Sequence, residues 1–163
     1  MQFSRSKDQI IIDQLDPFAF EMLMLIPVSS NPEGIPEAED RLFSSPETVS
    51  SEFSEDWKSY VEPELRHLFQ SAVEVVESDL QAMDHAMSES GGSTPELHIP
   101  SKHIEAWVSA LNQARLVISA KFGFNREEME RGLPESIQSP RQMGLLQMDL
   151  YDFLLLCFVQ EME

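Results

Sequence analysis

The stretch that decides the fold is residues 101–123, SKHIEAWVSALNQARLVISAKFG. Its apolar residues recur at spacings of three and four, which is the period of one face of an α-helix. Ser101, directly after Pro100, is a residue type that caps helix N-termini, and Gly123 is a residue type that ends helices. The sequence therefore predicts a helix over 102–122 with a core stripe consisting of Ile104, Trp107, Val108, Leu111, Ile118 and Phe122.

Two further long helices flank this one in the sequence, over 63–88 and 140–161. Pro63 lies near the first turn of the earlier helix, and Ser139 with Pro140 forms an N-cap followed by a first-turn proline. We expect the three long helices to form the central bundle. The predicted core stripe of the earlier helix comprises Leu65, Leu68, Phe69, Ala72, Val76, Leu80, Met83 and Met87.

The N-terminal region predicts a small amount of β structure. Met1–Arg5 and the β-branched run Gln9–Asp13 favour a hairpin. Asp16 and Pro17 then start a helix over Phe18–Ile26 that is apolar nearly all round, so other elements or a second subunit must cover it. The predicted fold class is mainly α: a single-domain helical bundle over residues 1–163 with a minor N-terminal β-hairpin.

Residues 29–56 form an acidic connection rich in Ser and Pro, where regular structure is hard to sustain. A connection this long inside a compact domain is either mobile or held by an anchor, such as Leu42 and Phe43. Its acidic run is ordinary solvated surface or a docking site for a basic partner. The partner-binding residues of the docking hypothesis are Glu33, Glu37, Glu39, Asp40 and Phe43.

Charge and composition exclude several classes of protein. The chain has 163 residues, with 29 acidic and 11 basic side chains, for a formal net charge of −18. Nucleic acid and anionic membrane surfaces would be repelled. The apolar runs Met22–Val28 and Phe153–Val159 are shorter than the roughly 20 residues of a spanning helix, and no export signal is visible. We therefore expect a soluble, cytoplasmic protein without nucleic-acid or membrane partners.

Arg115 occupies the position at which the stripe of the 102–122 helix lacks an apolar residue. A buried guanidinium needs a carboxylate or an anionic ligand, and Asp152 lies among apolar residues of the terminal helix. In the structural interpretation, Arg115, Asp152 and Asn112 form a buried network that fixes the register of two helices. In the ligand interpretation, Arg115 binds a carboxylate or phosphate, and Trp107 or Tyr151 forms an aromatic wall. The third alternative is that the phase of the helix is misassigned and Arg115 does not lie on its apolar face.

Other residue types give no sign of chemistry. Cys157 lies between Leu156 and Phe158, where a structural thiol is expected rather than a nucleophile. The histidines lack metal-ligand spacing, and no GxSxG turn or glycine-rich phosphate loop is present. We predict neither a metal nor a cofactor. The four histidines are His67, His85, His98 and His103.

Two blocks resemble a known family: AWVSALNQARLVISAKFG at 106–123 and LYDFLLLCFVQE at 150–161. They are similar to the most characteristic segments of an uncharacterised bacterial family, domain of unknown function two-thousand-and-seventeen. Its members also have a DP-initiated helix, a place that Asp16 and Pro17 hold here. The resemblance implies a helical fold and, through neighbouring genes, a link to regulated proteolysis, but no catalytic residues.

The leading functional hypothesis is a non-enzymatic interaction or adaptor module that binds a protein partner and is either a homodimer or a monomer with a deep core. The acidic flank and the excess apolar surface of Phe18–Ile26 and Phe153–Val159 favour it. The alternative is a small-anion or metabolite-binding protein, or an enzyme, with a site around Arg115. Its site residues are Trp107, Asn112, Arg115, Tyr151 and Asp152.

Overall fold

The computed structural model describes residues 1–46, 50–92, 94–131 and 136–162. Over these residues the protein is mainly α-helical with a small antiparallel sheet, as predicted. The α-helices are α1 (Pro17–Met24), α2 (Ile26–Ser29), α3 (Pro36–Phe43), α4 (Ser51–Asp56), α5 (Glu62–Glu89), α6 (Ile104–Phe122), α7 (Arg126–Glu130) and α8 (Pro140–Met162).

The sheet has three strands in the order β1 (Gln2–Ser6), β2 (Gln9–Asp13) and β3 (Leu97–Pro100). The predicted hairpin of β1 and β2 is confirmed. Strand β3 joins it from far along the chain by pairing antiparallel with β2, with Ile10 opposite Ile99. Both of these side chains are buried, so the sheet closes one end of the core.

The core lies between α5, α6 and α8, and α6 packs against both of the other helices. The three predicted long helices therefore do form the centre of the fold. Their period-3.6 patterns bury one face of each helix, and the hydrophobic effect of that burial holds the bundle together. The largest side chains that are fully enclosed include Trp107, Leu111, Tyr151, Leu154, Phe158, Leu80, Leu23 and Ile26.

Two expectations for the first half of the chain are wrong. The helix predicted over Phe18–Ile26 ends earlier, because α1 ends at Met24. Pro27, the residue after the predicted span, lies in the first turn of α2, where a missing N–H costs nothing. Regular structure also continues through the acidic connection, because Pro36 opens α3 and the Ser50 side chain caps α4. Phe43 is buried, so the connection is anchored as the sequence suggested. Residues 47–49 lie outside the described residues.

Local helix signals are mostly confirmed. Gly123 ends α6 in the left-handed conformation, with φ of 59°, and Asn125 with Glu128 forms a capping box at α7. The Ser139 hydroxyl accepts a hydrogen bond from the Gln142 backbone N–H at 3.2 Å. The start of α6 differs, because a 3₁₀ turn over Ser101–His103 precedes the α-helix, and His103 instead of Ser101 is at its N-cap position.

Helix α5 is preceded by a single π-helical turn, Trp57–Val61, which joins it to α4. The predicted core stripe of α5 is wrong at Leu68. That residue is 61% exposed, and the buried row of α5 begins one turn later, at Ala72, and continues through Val76 and Leu80.

Candidate functional site

A groove of about 920 Å³ lies between the end of α1, α2, α3 and α5 in the described residues. Its size lies within the range of binding pockets in proteins. Apolar side chains from two sides form much of its surface: Met24 and Val28 from α1 and α2, and Val73 and Leu80 from α5. Val28 is 67% exposed, so this surface is open to a partner.

The groove also carries acidic side chains on its walls. Glu33, in the turn between α2 and α3, and Glu77, on α5, both line it and are both exposed. Within the described part of the chain, neither carboxylate forms an ion pair. A groove with an apolar surface and unpaired carboxylates favours a cationic, amphipathic ligand.

Glu39 and Phe43 line the same groove, but Arg66 already contacts both side chains. The Arg66 guanidinium lies 4.0 Å from the centre of the Phe43 ring, and its NH2 is 3.5 Å from a Glu39 carboxylate oxygen. Arg66 also contacts Glu62 at 2.8 Å. Phe43 therefore anchors α3 to α5 inside the molecule and does not serve as an exposed anchor for a partner.

The remaining residues of the predicted acidic dock point elsewhere. Glu37 forms an ion pair with Arg41 one turn along α3. Asp40 accepts a hydrogen bond from the Ser44 hydroxyl and lines a smaller cavity of about 340 Å³. Of the five residues that the sequence grouped as a docking site, Glu33 alone contributes an unpaired charge to the large groove.

The carboxamide of Gln113 reaches the groove from α6, and sequence reasoning missed it. Gln113 is almost completely buried, and its Nε2 donates to the Phe69 carbonyl at 3.3 Å. Among the described residues nothing donates to its Oε1. A hydrogen-bond acceptor at the base of an acidic groove suits a ligand that carries N–H donors.

Arg115 and Asp152 contact each other, as the structural interpretation of the sequence predicted. Asn112 completes the group by accepting a hydrogen bond from Arg115 NH1 at 3.4 Å. The pair is not buried, however: the side chains are 29% and 45% exposed. The expected burial is wrong because Ala114 and Ile118, not position 115, continue the buried face of α6. Partial burial raises the pKa of Asp152, and Arg115 opposes that rise.

Trp107 and Tyr151 do not form an aromatic wall beside Arg115, because both side chains are fully enclosed. The Tyr151 hydroxyl donates to the Met22 carbonyl at 2.8 Å, and burial raises the pKa of Tyr151 to about 12. The predicted five-residue ligand site therefore does not assemble. Arg115, Asp152 and Asn112 meet at the surface, while the two aromatic residues belong to the core.

A second polar cluster, which the sequence did not reveal, centres on the buried Asp79 of α5. Its carboxylate accepts a hydrogen bond from Trp107 Nε1 at 2.9 Å, and His103 Nδ1 lies 3.0 Å from both of its oxygens. An aspartate that orients a histidine also occurs in catalytic triads. Here, within the described residues, no hydroxyl or thiol is hydrogen-bonded to His103 Nε2. The Trp107 hydrogen bond to Asp79 joins α6 to α5.

Metal and thiol chemistry find no support in the described residues. Over those ranges, no group of three or more His, Cys, Asp and Glu side chains is arranged to hold a metal ion. Burial raises the pKa of the Cys157 thiol, as expected of a structural cysteine and opposite to the requirement of a nucleophile. His67 and His85 are exposed on α5.

One described helix, α8, is long and apolar enough to cross a membrane by length and composition alone. Core helices of soluble proteins meet the same criterion. In this fold α8 contributes Tyr151, Leu154 and Phe158 to the core.

Comparison with known proteins identifies a family and no further relative. The family model described as Domain of unknown function (DUF2017) matches residues 12–162, so the chain belongs to that family. No curated protein and no solved structure matches the chain. The family description assigns no activity.

Proposed function

We propose that this member of the DUF2017 family is a non-enzymatic interaction module that binds a basic, amphipathic segment of a protein partner. The binding site is the groove between α2, α3 and α5. The observation that carries the proposal is the combination of exposed apolar surface at Val28 with the unpaired carboxylates of Glu33 and Glu77.

Apolar contact would supply most of the affinity. Burial of apolar surface contributes about 25 cal/mol per Å², and an amphipathic segment would cover Val28, Met24 and Val73 with its apolar face. A helix bound in a groove and an extended bound peptide both gain affinity by burying apolar side chains in this way.

Charge would supply selectivity and fast association. The protein carries −18 overall, and a basic segment is attracted from a distance before it contacts Glu33 and Glu77. Because the attraction acts between partly exposed charges, it should weaken as salt is added. Lysine and arginine side chains also bring N–H donors, for which the Gln113 carbonyl oxygen is an available acceptor.

We extend the proposal to an adaptor role, in which the protein binds one partner in order to present it to another. The link to regulated proteolysis is part of the same hypothesis: the groove would hold a basic segment of a protein that is to be degraded or of the degradation machinery. The anion-binding alternative has weaker support, because Arg115 is already paired with Asp152 and lies apart from the enclosed Trp107 and Tyr151.

The test is fluorescence anisotropy with a labelled amphipathic peptide built from leucine and lysine, beside a matched leucine–glutamine peptide. We expect the lysine peptide to bind about two- to thirtyfold more tightly, since two exposed charge contacts contribute roughly 0.2–1 kcal/mol each. The double variant Glu33→Lys/Glu77→Lys should remove that preference.

The control is Asp84→Lys/Glu105→Lys, which changes the net charge equally at two exposed acids outside the groove. It should retain the preference for the lysine peptide. Equal losses in both double variants would show that binding follows net charge alone and would overturn the proposed site.

A further inference from the structure

A second cavity, of about 470 Å³, adjoins the groove of the proposed function and lies between α2, α6 and the start of α8. It is called here the α6–α8 cavity. The two openings share Val28, Asn31 and Glu33, but only this one reaches α8. Its volume lies within the range of small-molecule pockets, so it is large enough for a ligand of its own.

The floor of the α6–α8 cavity is apolar. Val117 and Ile118 of α6 line it and are only 3% and 4% exposed. Ile35 and Met143 extend the apolar lining from the N-cap of α3 and from α8. Pockets for small ligands combine such a lining with a few polar groups that set the orientation of the ligand. The lining therefore suits a ligand with a compact apolar part.

The carboxamide of Gln147 is a fixed hydrogen-bonding group of this cavity. Gln147 is 8% exposed, and its Nε2 donates to Ser29 Oγ at 3.2 Å and to the Tyr151 hydroxyl oxygen at 3.4 Å. Because the Tyr151 hydroxyl donates its own hydrogen to the Met22 carbonyl, it can only accept from Gln147, which fixes the orientation of the carboxamide. Within the described part of the chain, no group donates to Gln147 Oε1. A buried acceptor of this kind suits a ligand with an N–H donor.

Two opposite charges line the same cavity without pairing. Glu33, in the turn before α3, and Lys121, in the last turn of α6, are both exposed at its rim. Over the described residues, neither side chain belongs to an ion pair, and the Lys121 ammonium lies 5.5 Å from the centre of the Phe122 ring. Unpaired groups of opposite sign in one cavity are complementary to a ligand that itself carries both signs.

Ligands with a single charge fit this cavity less well. An apolar carboxylate could pair with Lys121, but Glu33 would repel it and Gln147 Oε1 would keep no donor. An apolar amine could satisfy Glu33 and Gln147, but it would leave Lys121 unpaired. A molecule with an ammonium group, a carboxylate and an apolar side chain uses all three polar groups and the apolar floor.

From these observations we infer that the α6–α8 cavity binds a free α-amino acid with an apolar side chain, such as leucine or methionine. The ammonium group of the ligand donates to Gln147 Oε1 and pairs with Glu33. Its carboxylate pairs with Lys121, and its side chain contacts Val117 and Ile118. The inference does not depend on the proposed function, because no peptide takes part in it. Since Glu33 lines both openings, an amino acid and a basic peptide should each weaken the binding of the other.

NMR titration of L-leucine into the isotope-labelled protein, without any peptide, tests the site. Amide signals of Val117, Ile118 and Met143 should shift and saturate with a Kd of about 1 mM or below. Glycine, which has no side chain to bury, should bind at least about tenfold more weakly. The inference is overturned if glycine binds as tightly as leucine, or if none of leucine, isoleucine, methionine and phenylalanine saturates the protein at about 10 mM.

Two derivatives of leucine test the charged ends of the ligand. N-acetyl-leucine lacks the ammonium group and should bind at least about tenfold more weakly, because the charged hydrogen bond to Gln147 is lost. Leucinamide lacks the carboxylate and resembles the first residue of a peptide chain, so it should bind about two- to fivefold more weakly than leucine. Undiminished binding of N-acetyl-leucine would contradict the ammonium site. Leucinamide that binds as tightly as leucine would overturn the free amino acid in favour of a protein N-terminus.

A pair of variants tests the role of Lys121. Lys121→Glu should weaken leucine binding by about two- to thirtyfold, because an exposed attraction becomes a repulsion. Lys102→Glu is the matched control, since it makes the same charge change at an exposed lysine that does not line the cavity, and it should leave the affinity unaltered. Equal losses in the two variants would show that binding follows net charge alone and would overturn the site.

Discussion

Trp107 donates its indole N–H to the carboxylate of Asp79, with 2.9 Å between Nε1 and Oδ2. This hydrogen bond joins α6 to α5 inside the core, and His103 shares the same carboxylate. It satisfies the polar atom of the largest aromatic residue that the core encloses. A buried carboxylate that receives two N–H donors is a fixed point about which the two helices are positioned.

Replacing Asp79 by alanine should destabilise the protein by about 1–3 kcal/mol, because the buried indole N–H loses its acceptor and the partly exposed His103 ring loses its carboxylate partner. Denaturant unfolding measures the loss. Asp84→Ala, at an exposed position of the same helix, is the control and should cost less than about 0.5 kcal/mol. Similar costs for the two variants would show that the Asp79 hydrogen bonds contribute little.

Arg115→Ala should cost less than about 1 kcal/mol, because the pair with Asp152 is partly exposed to solvent. A fully buried pair, as the sequence suggested, would cost roughly 3–5 kcal/mol. The pKa of Asp152 should also rise further, since Arg115 lowers it in the wild type. Carboxyl-carbon NMR titration measures that change, and an unchanged pKa would contradict the ion pair.

Tyr151 should make stability depend on pH in the alkaline range. Burial raises its pKa from 10.0 to about 12, so the unfolded chain releases this proton more readily than the folded one. The stabilisation is complete below pH 10 and is lost as pH rises toward 12, by about 2–3 kcal/mol. Tyr151→Phe should flatten this slope in urea unfolding between pH 9 and 12. An identical slope in both proteins would contradict a buried, hydrogen-bonded hydroxyl.

The apolar part of the groove should contribute to peptide affinity independently of charge. Val28→Ser removes apolar surface that a bound segment would cover, so the leucine–lysine peptide should bind about three- to tenfold more weakly. Val159→Ser makes the same change on α8, outside the groove, and should leave the peptide affinity unaltered. Anisotropy titrations compare them. A loss of peptide affinity in Val159→Ser alone would show that the peptide binds at α8 and would contradict binding in the groove.

Much of the fold follows from local signals in the sequence. Asp16, Asn125, Ser139 and Gly123 mark helix ends through interactions with residues at most four positions away, so no knowledge of the tertiary structure is needed. The hairpin is equally local. Pro36 and Ser50 are signals of the same kind for α3 and α4, but the Ser, Pro and Glu content of the surrounding segment suggested a connection without regular structure.

The site depends on contacts that are distant in sequence. Asp79 lies on a helix rich in exposed acids, and its burial is set by Trp107, 28 positions away. Glu33 and Glu77 come to the same groove only when α2 packs against α5. For Arg115, the sequence predicted the right partner, Asp152, but a small error in the helical phase of α6 placed the pair inside the core instead of at its edge.

The most direct test of the central claim is to map the bound peptide by NMR. On titration with the leucine–lysine peptide, amide signals of Val28, Glu33, Val73 and Glu77 should shift most, because these residues line the groove. Glu33→Lys/Glu77→Lys should abolish the shifts. Shifts centred on α8, or spread evenly over exposed acidic residues, would contradict a basic-segment site between α2, α3 and α5.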